Sequence, residues 1–128
     1  MIVDGKILVI RRSENEVSSA GYWEIPKGKV EFGEDPGTSL KREYMEEVGL
    51  NIELNQPWNI SSHTYSRDGV DIHFWAIDYM VELADGESIK NIRLSKDHDK
   101  WLFVDKSELA ALSPMYEDRK TTLSSLFS

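Results

Sequence analysis

Asp35-Pro36 and Gly49 fix the limits of one helix before any other part of this chain can be assigned. Asp is a favoured N-cap because its carboxylate accepts from the first free backbone N–H groups, and Pro suits the first helical position because it has no N–H to leave unpaired. Glycine readily adopts the left-handed conformation that ends a helix on its C-terminal side. The spacing predicts a helix over 36–48. At about 3.6 residues per turn, Leu40, Tyr44 and Val48 form an apolar stripe about 80° wide. Glu43, Glu46 and Glu47 occupy the adjoining arc, about 100° wide. Like charges at i, i+3 and i+4 repel one another and oppose helix formation by a few tenths of a kcal/mol per pair. The helix packs by one side and gathers carboxylates beside it, where they work against it.

Strand signals surround this helix. Lys6-Ile-Leu-Val-Ile10 is a β-branched apolar run after an Asp4-Gly5 turn signal, and reads as a buried strand. Arg11 and Arg12 end it, and 13–21 reads as a loop. Tyr22 to Ile25 is a brief strand stopped by Pro26 and Gly28, and 27–33 is a glycine-bounded loop. Ile52 and Leu54 begin another strand. Trp58–Tyr65 and Val70–Val81 form a hairpin across 66–69, with Val70, Ile72, Phe74 and Ala76 on one face and Asp71, His73, Trp75 and Ile77 on the other. Trp101–Val104 is a further strand. Ser107 caps a short helix over 108–112, Pro114 breaks it, and 115–127 reads as a terminal helix. Strands interleaved with helices in this order imply an α/β fold with a mixed β-sheet between helices.

The 128 residues suit a single domain, 1–128, with one core. Repeats and low-complexity runs are absent, which excludes a solenoid. Cysteine is absent too, so disulfides, thiolate metal sites and cysteine nucleophiles are excluded. No apolar run approaches the roughly 18 residues of a membrane helix. The start, MIVDGKILVIRR, is too short and too acidic for a secretory signal. A soluble, cytoplasmic protein is expected. The net charge of −8 repels nucleic acid and anionic membranes. A small polyanionic partner would need a local device against that repulsion, and a divalent cation held by the glutamate cluster is one.

The loop and helix together run Gly28-Lys-Val-Glu-Phe-Gly-Glu34-Asp-Pro-Gly-Thr-Ser-Leu-Lys-Arg42-Glu43-Tyr-Met-Glu46-Glu47-Val-Gly49-Leu50. This segment, 28–50, resembles the Nudix box: Gly, five residues, Glu, seven residues, then Arg-Glu-hydrophobic-x-Glu-Glu-x-Gly-hydrophobic. All seven fixed identities stand at the right gaps, a coincidence of roughly 10⁻⁸ per starting position at about 7% usage per residue type. Tyr44 stands where an aliphatic residue is more usual, and it lies on the packing stripe. Trp23-Glu-Ile-Pro-Lys-Gly28 and Ile7-Leu-Val-Ile-Arg-Arg12 resemble the runs that lead into the box. The resemblance implies a Nudix-type α/β/α sandwich with a mixed β-sheet, and because the chain starts close to the early strand, a first strand is expected to be short or missing. The resemblance also implies divalent-metal-dependent hydrolysis of a diphosphate bond in a nucleoside diphosphate derivative.

The chemistry suits the residues. Mg²⁺ or Mn²⁺ takes hard oxygen ligands, bridges phosphate oxygens and lowers the pKa of bound water. Glu43, Glu46 and Glu47 are the candidate metal ligands, and one of them, Glu43 first, is the candidate base. By resemblance, Glu34 and Arg42 form an ion pair that orients loop against helix. The Lys27 carbonyl completes the metal shell, and the Lys27 side chain meets phosphate. Ser95-Lys-Asp-His98 resembles a Ser-x-Glu-His run, with Asp97 as a further acid of shorter reach. Arg12, Tyr65 and Trp75 are candidate substrate contacts. Trp58, Tyr65, Phe74 and Trp75 read first as core aromatics, with base stacking as the other role. His63, His73 and His98 have no metal-ligand spacing and read as structural or surface residues.

Two substrate types fit. His63-Thr-Tyr65 and Phe74-Trp75 are similar to MutT-type enzymes, which act on nucleoside triphosphates. Pro26-Lys-Gly28, Glu34-Asp35 and Ser95-Lys-Asp-His98-x-x-Trp101 are similar to the diadenosine tetraphosphate hydrolases. A nucleoside triphosphate pyrophosphohydrolase, monomeric or homodimeric, is the first reading, and the dinucleoside polyphosphate hydrolase the second. A non-catalytic nucleotide-binding module is the reading of another class, and such modules typically lose box acids that are all present here.

Overall fold

The strand β2 (Lys6–Arg12) organises the rest because it is apolar on both faces. Ile7, Leu8, Val9 and Ile10 are all buried. Alternation sends Ile7 and Val9 to one side and Leu8 and Ile10 to the other. The computed structural model describes residues 1–127. Ser128, the last residue of the expected domain, lies outside the described residues. β2 pairs antiparallel with β1 (Ile2–Val3), β3 (Trp23–Glu24) and β6 (His98–Val104). Because β6 follows β2 from Ile7 to Arg12, β1 and β3 share the opposite edge.

Each face of β2 carries its own apolar layer. Ile7 and Val9 pack with Trp23, Val104, Leu109 of α2 (Lys106–Ala111) and Leu123 of α3 (Glu117–Ser124). Leu8 and Ile10 pack with Tyr44 and Val48 of α1 (Pro36–Val48), and with Ile52 of β4 (Ile52–Arg67) and Val81 of β5 (Val70–Leu83). Helices therefore cover both sides of the strands, an α/β/α sandwich. Burying each such aliphatic side chain contributes about 1.5–3 kcal/mol, so the two layers fix the relative placement of α1, β3 and β6. Among the described residues the sheet layer consists of two antiparallel ladders, β4–β5 being the second. β1 lies against β5 where the ladders adjoin. Two residues are too few to extend a ladder between them.

The bracketed helix forms over the predicted residues. Asp35 accepts from the Thr38 N–H at 2.8 Å, Pro36 opens the first turn, and Gly49 ends the helix at φ 73° with its N–H on the Tyr44 and Met45 carbonyls. Tyr44 and Val48 are buried, and Leu40 is packed beside them. Elsewhere local chemistry shifted boundaries. Asp105, not Ser107, caps α2, in a reciprocal box with Glu108. The terminal helix starts at Glu117 and ends in a 3₁₀ turn, Ser125–Phe127. The strand that begins at Ile52 does not stop before Trp58. It runs through Pro57 with a register shift on either side, the usual way a strand absorbs a residue without an N–H.

The far end of the β4–β5 hairpin differs from expectation. Tyr65, Phe74 and Trp75 are not core: they are 40, 42 and 65% exposed. Periodicity assigns faces but cannot tell whether another layer covers them. Phe74 stacks on His63 at 5.2 Å and meets Tyr65 edge-on, while Trp75 lies near His73. Trp58, nearer the body, does pack against the core. Among the described residues no helix is long and apolar enough to cross a membrane.

Gly49 is a position where an L side chain is penalised twice. Its φ is in the left-handed region, and an added Cβ would sit 3.3 Å from the Arg93 carbonyl oxygen. Gly49→Ala is expected to lower stability by about 1–2 kcal/mol, read as a shift of the urea midpoint at constant m. An unchanged midpoint would contradict this account of the helix stop.

Candidate active site

The loop between β3 and α1 is fastened to the helix by one arginine. Arg42 donates to both oxygens of Glu34, from Nε at 2.8 Å and from Nη2 at 3.0 Å. Nη2 also reaches the Lys29 carbonyl at 3.2 Å, which Ser39 Oγ shares. The Glu31 N–H bonds Glu34 at 2.8 Å. Arg42 and the Glu31 backbone together hold the Glu34 carboxyl down to about 2. The remaining nitrogen of Arg42, Nη1, lies 2.9 Å from Glu43 Oε1 and 3.3 Å from Glu46 Oε2. One guanidinium thus ties the loop to the helix and offsets the repulsion among the box acids.

Glu47 is treated differently. Its carboxyl is pushed up to about 8, first by burial and then by the charges of Glu24 and Glu43, while a hydrogen bond from the Lys27 backbone partly opposes them. Its Oε2 is buried and has no hydrogen-bond partner. Gly28 explains how loop and acids come so close: an added Cβ there would lie 2.0 Å from the Glu43 carboxyl carbon. The glycine that opens the box leaves the space that the Glu43 carboxylate fills.

Glu43, Glu46 and Glu47 line one cleft of about 380 Å³ with Lys27, Arg12 and Asp97. Six of the sequence-predicted residues are therefore brought together. Glu34 and Arg42 stand behind the acids. Tyr65 and Trp75 do not line the cleft: they lie on the distal hairpin, on opposite faces, since Trp75 pairs with Ser62 and Tyr65 with Ile72. Four further residues line it: Glu16 and Glu24, which have no role assigned from the sequence, Ser95, which stands only in the run resembling Ser-x-Glu-His, and His98, which reads from the sequence as a structural or surface residue. Glu24 was legible in part, since alternation after the buried Trp23 turns it away from the core and toward the cleft.

Among the described residues no three His, Asp or Glu side chains converge on one metal-sized position. The pairing explains this: Glu43 and the half-exposed Glu46 are drawn to Arg42. The donors themselves still suit a hard divalent cation, since they are carboxylate oxygens; the Lys27 backbone group at Glu47 is its N–H, which donates to the carboxylate and is not a cation ligand. The unpartnered Glu47 oxygen is a buried acceptor that a cation would satisfy.

The raised Glu47 pKa sets a pH dependence. Between about 4.5 and about 8 the folded chain holds a proton that the unfolded chain releases. Stability contributed through Glu47 therefore falls as pH rises through that window. In chelator, Glu47→Gln is expected to raise stability at pH 8 by on the order of 1 kcal/mol or more and to change little at pH 4.5, by urea unfolding at both values. Equal shifts at the two pH values would refute the assignment. Glu34 acts in a separate window, its contribution being lost only as pH falls from about 4.5 toward about 2.

Known proteins resemble this chain along most of its length. The NUDIX domain family matches residues 1–126. A MutT-like protein of Streptomyces ambofaciens is 38% identical over 61 residues, 48% of this chain and 36% of that protein. The CTP pyrophosphohydrolase of Escherichia coli (strain K12) is 34% identical over 76 residues, 58% of this chain and 54% of that protein. The chain spans about a third of the length of the first curated relatives it matches. The crystal structure of a MutT NUDIX hydrolase from Burkholderia pseudomallei superposes with a TM-score of 0.74 at 26% identity, over 96% of this chain and 89% of that one. With a family match over nearly its whole length and every fixed residue of the box in place, this chain belongs to the NUDIX family.

Proposed function

We propose that this chain, folded as a single domain, is a nucleoside triphosphate pyrophosphohydrolase that works with Mg²⁺ or Mn²⁺ on a small nucleotide in the cytoplasm. The observation that carries the reading is the packing of the box carboxylates into the cleft against the Lys27 backbone, with Glu47 raised to about 8 and one of its oxygens unpartnered. A carboxylate cluster that must bind protons to relieve itself suits a divalent cation. When bound, such a cation supplies charge neutralisation at the phosphates and a more acidic water. Glu43, Glu46 and Glu47, with the Lys27 carbonyl and Asp97, would hold it.

The chain's own residues supply the rest. Arg42 and Glu34 fix the loop, so that Lys27 presents its backbone and its side chain at the same mouth. Arg12 and Lys27 are the cations lining the cleft, and they meet the phosphates. In the reaction a water oxygen bonds to phosphorus and the anhydride P–O bond breaks. The bonding pair leaves with pyrophosphate, and the water proton passes to a box carboxylate. The similarity to a CTP pyrophosphohydrolase supports a triphosphate substrate. Ser95 and Asp97 at the cleft favour, as a second reading, a dinucleoside polyphosphate.

Hydrolysis of a panel of nucleoside triphosphates, dinucleoside polyphosphates, ADP-ribose and nucleotide sugars, with product identification, tests this. Release of pyrophosphate and a monophosphate from a triphosphate is expected, abolished by EDTA. Glu47→Gln and Glu43→Gln are each expected to lower kcat by about 10²-fold or more. Turnover of no panel member with either cation would leave a binding module. Gly28→Ala is a companion variant, expected to lose activity while its melting temperature stays close to the wild-type value, because the intruding methyl displaces a cleft carboxylate rather than core. A large fall in melting temperature would show that Gly28 serves the fold.

A further inference from the structure

A buried polar contact at the rim of the cleft involves none of the box residues. His98 and Glu24, 74 residues apart, meet at 2.8 Å between Nε2 and Oε1. Their side chains are only 4 and 13% exposed. Burial pushes the Glu24 carboxyl up, but the His98 hydrogen bond and the nearby charges of Lys27 and Arg12 more than offset this and hold it below its ordinary value. Glu24 is therefore the acceptor and His98 Nε2–H the donor. The other ring nitrogen, Nδ1, is buried without a partner. Leaving a ring nitrogen unpaired costs stability, so an imidazole is a poor choice here for packing alone. The Nε2 contact is what the ring provides.

That contact closes a strap. The chain from Arg93 to His98 is hung on the end of α1, where the Arg93 N–H bonds the Val48 carbonyl at 2.9 Å and the Ser95 N–H bonds the Glu47 carbonyl at 3.1 Å. Its other end is held at β2, where the Ser13 N–H bonds the Asp97 carbonyl at 2.8 Å. His98 then anchors to β3 through Glu24. Between these points Ser95 and Asp97 face the cleft that Glu43 and Glu47 line.

We propose that His98 and Glu24 are a positioning pair whose hydrogen bond sets the Arg93–His98 strap so that the Asp97 carboxylate stands opposite Glu43 and Glu47. The pair rests on the reading above that the cleft takes a divalent cation, and it acts on that cation through Asp97 rather than by touching it.

The test uses the full chain and Mn²⁺ as probe, with bound Mn²⁺ measured without substrate from the loss of the free-ion EPR signal. His98→Leu is expected to weaken Mn²⁺ binding by about tenfold, the lower end for removal of a group that orients a ligand. His98→Gln places an N–H near the lost Nε2 and is expected to stay within about threefold of wild type. Asp97→Asn should weaken binding to a similar extent as His98→Leu. The double variant should be no weaker than the worse single one, because both changes act through one carboxylate. Should His98→Leu fail to fold, Glu24→Ala carries the same expectation. Equal losses in the Gln and Leu variants, losses that multiply in the double variant, or unchanged Mn²⁺ binding would each overturn the pair, as would a wild-type chain that binds no Mn²⁺. Wild-type Mn²⁺ binding without nucleotide turnover would overturn the proposed activity and leave the pair standing.

Discussion

The guanidinium of Arg42 is the contact on which the cleft depends. Three glutamates within one helical turn repel, and the loop carrying Gly28 and Lys27 has no regular structure of its own. Arg42 addresses both problems with one planar group. Two of its nitrogens take Glu34 in a fork, and the third turns to Glu43 and Glu46. A lysine has the charge but not the fork, and would have to choose between loop and helix. The arginine side chain is 26% exposed and Glu34 and Glu43 are each 16% exposed, so these pairs are less screened than the surface pair with Glu46, at 57%. The ion pair therefore acts on position. It presses Gly28 against the Glu43 carboxyl and leaves Glu47 turned inward.

The remaining cleft residues arrive through β2. Burial on both faces forces that strand to the centre, and two of its three partners then deliver residues by alternation. β3 buries Trp23 in one layer and turns Glu24 to the cleft, and β6 opens with His98 opposite Arg12. On the other side the stripe of α1 packs Tyr44 and Val48 against Leu8 and Ile10, which rotates the glutamates toward the same mouth. The last carbonyls of α1, which a helix leaves without internal partners, are taken by the Arg93 and Ser95 N–H groups. Satisfying a helix end and placing Asp97 are one act of folding.

What could be read from the sequence follows from how local each signal is. The helix over 36–48 depends on a cap, a proline and a glycine within it or next to it, and it formed as read. The box acids lie within one helical turn, so spacing brings them together, and the Glu34–Arg42 pair that the resemblance implies forms within the same loop-helix unit. β2 was legible because a run of four buried aliphatics admits few other placements. Glu24 and His98 were not legible as partners, since a contact across 74 residues leaves no trace in either local pattern. The hairpin aromatics show the converse limit. Their alternation is right for a strand, but whether Tyr65, Phe74 and Trp75 are covered depends on which layers lie beside the distal ladder, and among the described residues none does.

Charge decides what such a cleft can accept. Glu16, Glu24, Glu43, Glu46, Glu47 and Asp97 face it, against Arg12 and Lys27. Neither cation is free to act alone: Arg12 lies 3.7 Å and Lys27 3.4 Å from Glu24. In a chain of net charge −8, this set has no field to draw in a polyphosphate. Neutralisation has to come from protons or from a cation. The elevated Glu47 pKa is the proton answer, forced by burial beside other carboxylates. A divalent ion entering the same oxygens would compete with that proton, so its binding would release a proton near neutral pH. On the proposed reading, the acidic excess that repels polyanions from the protein at large is what would recruit the ion to this one mouth, and the ion would then admit them.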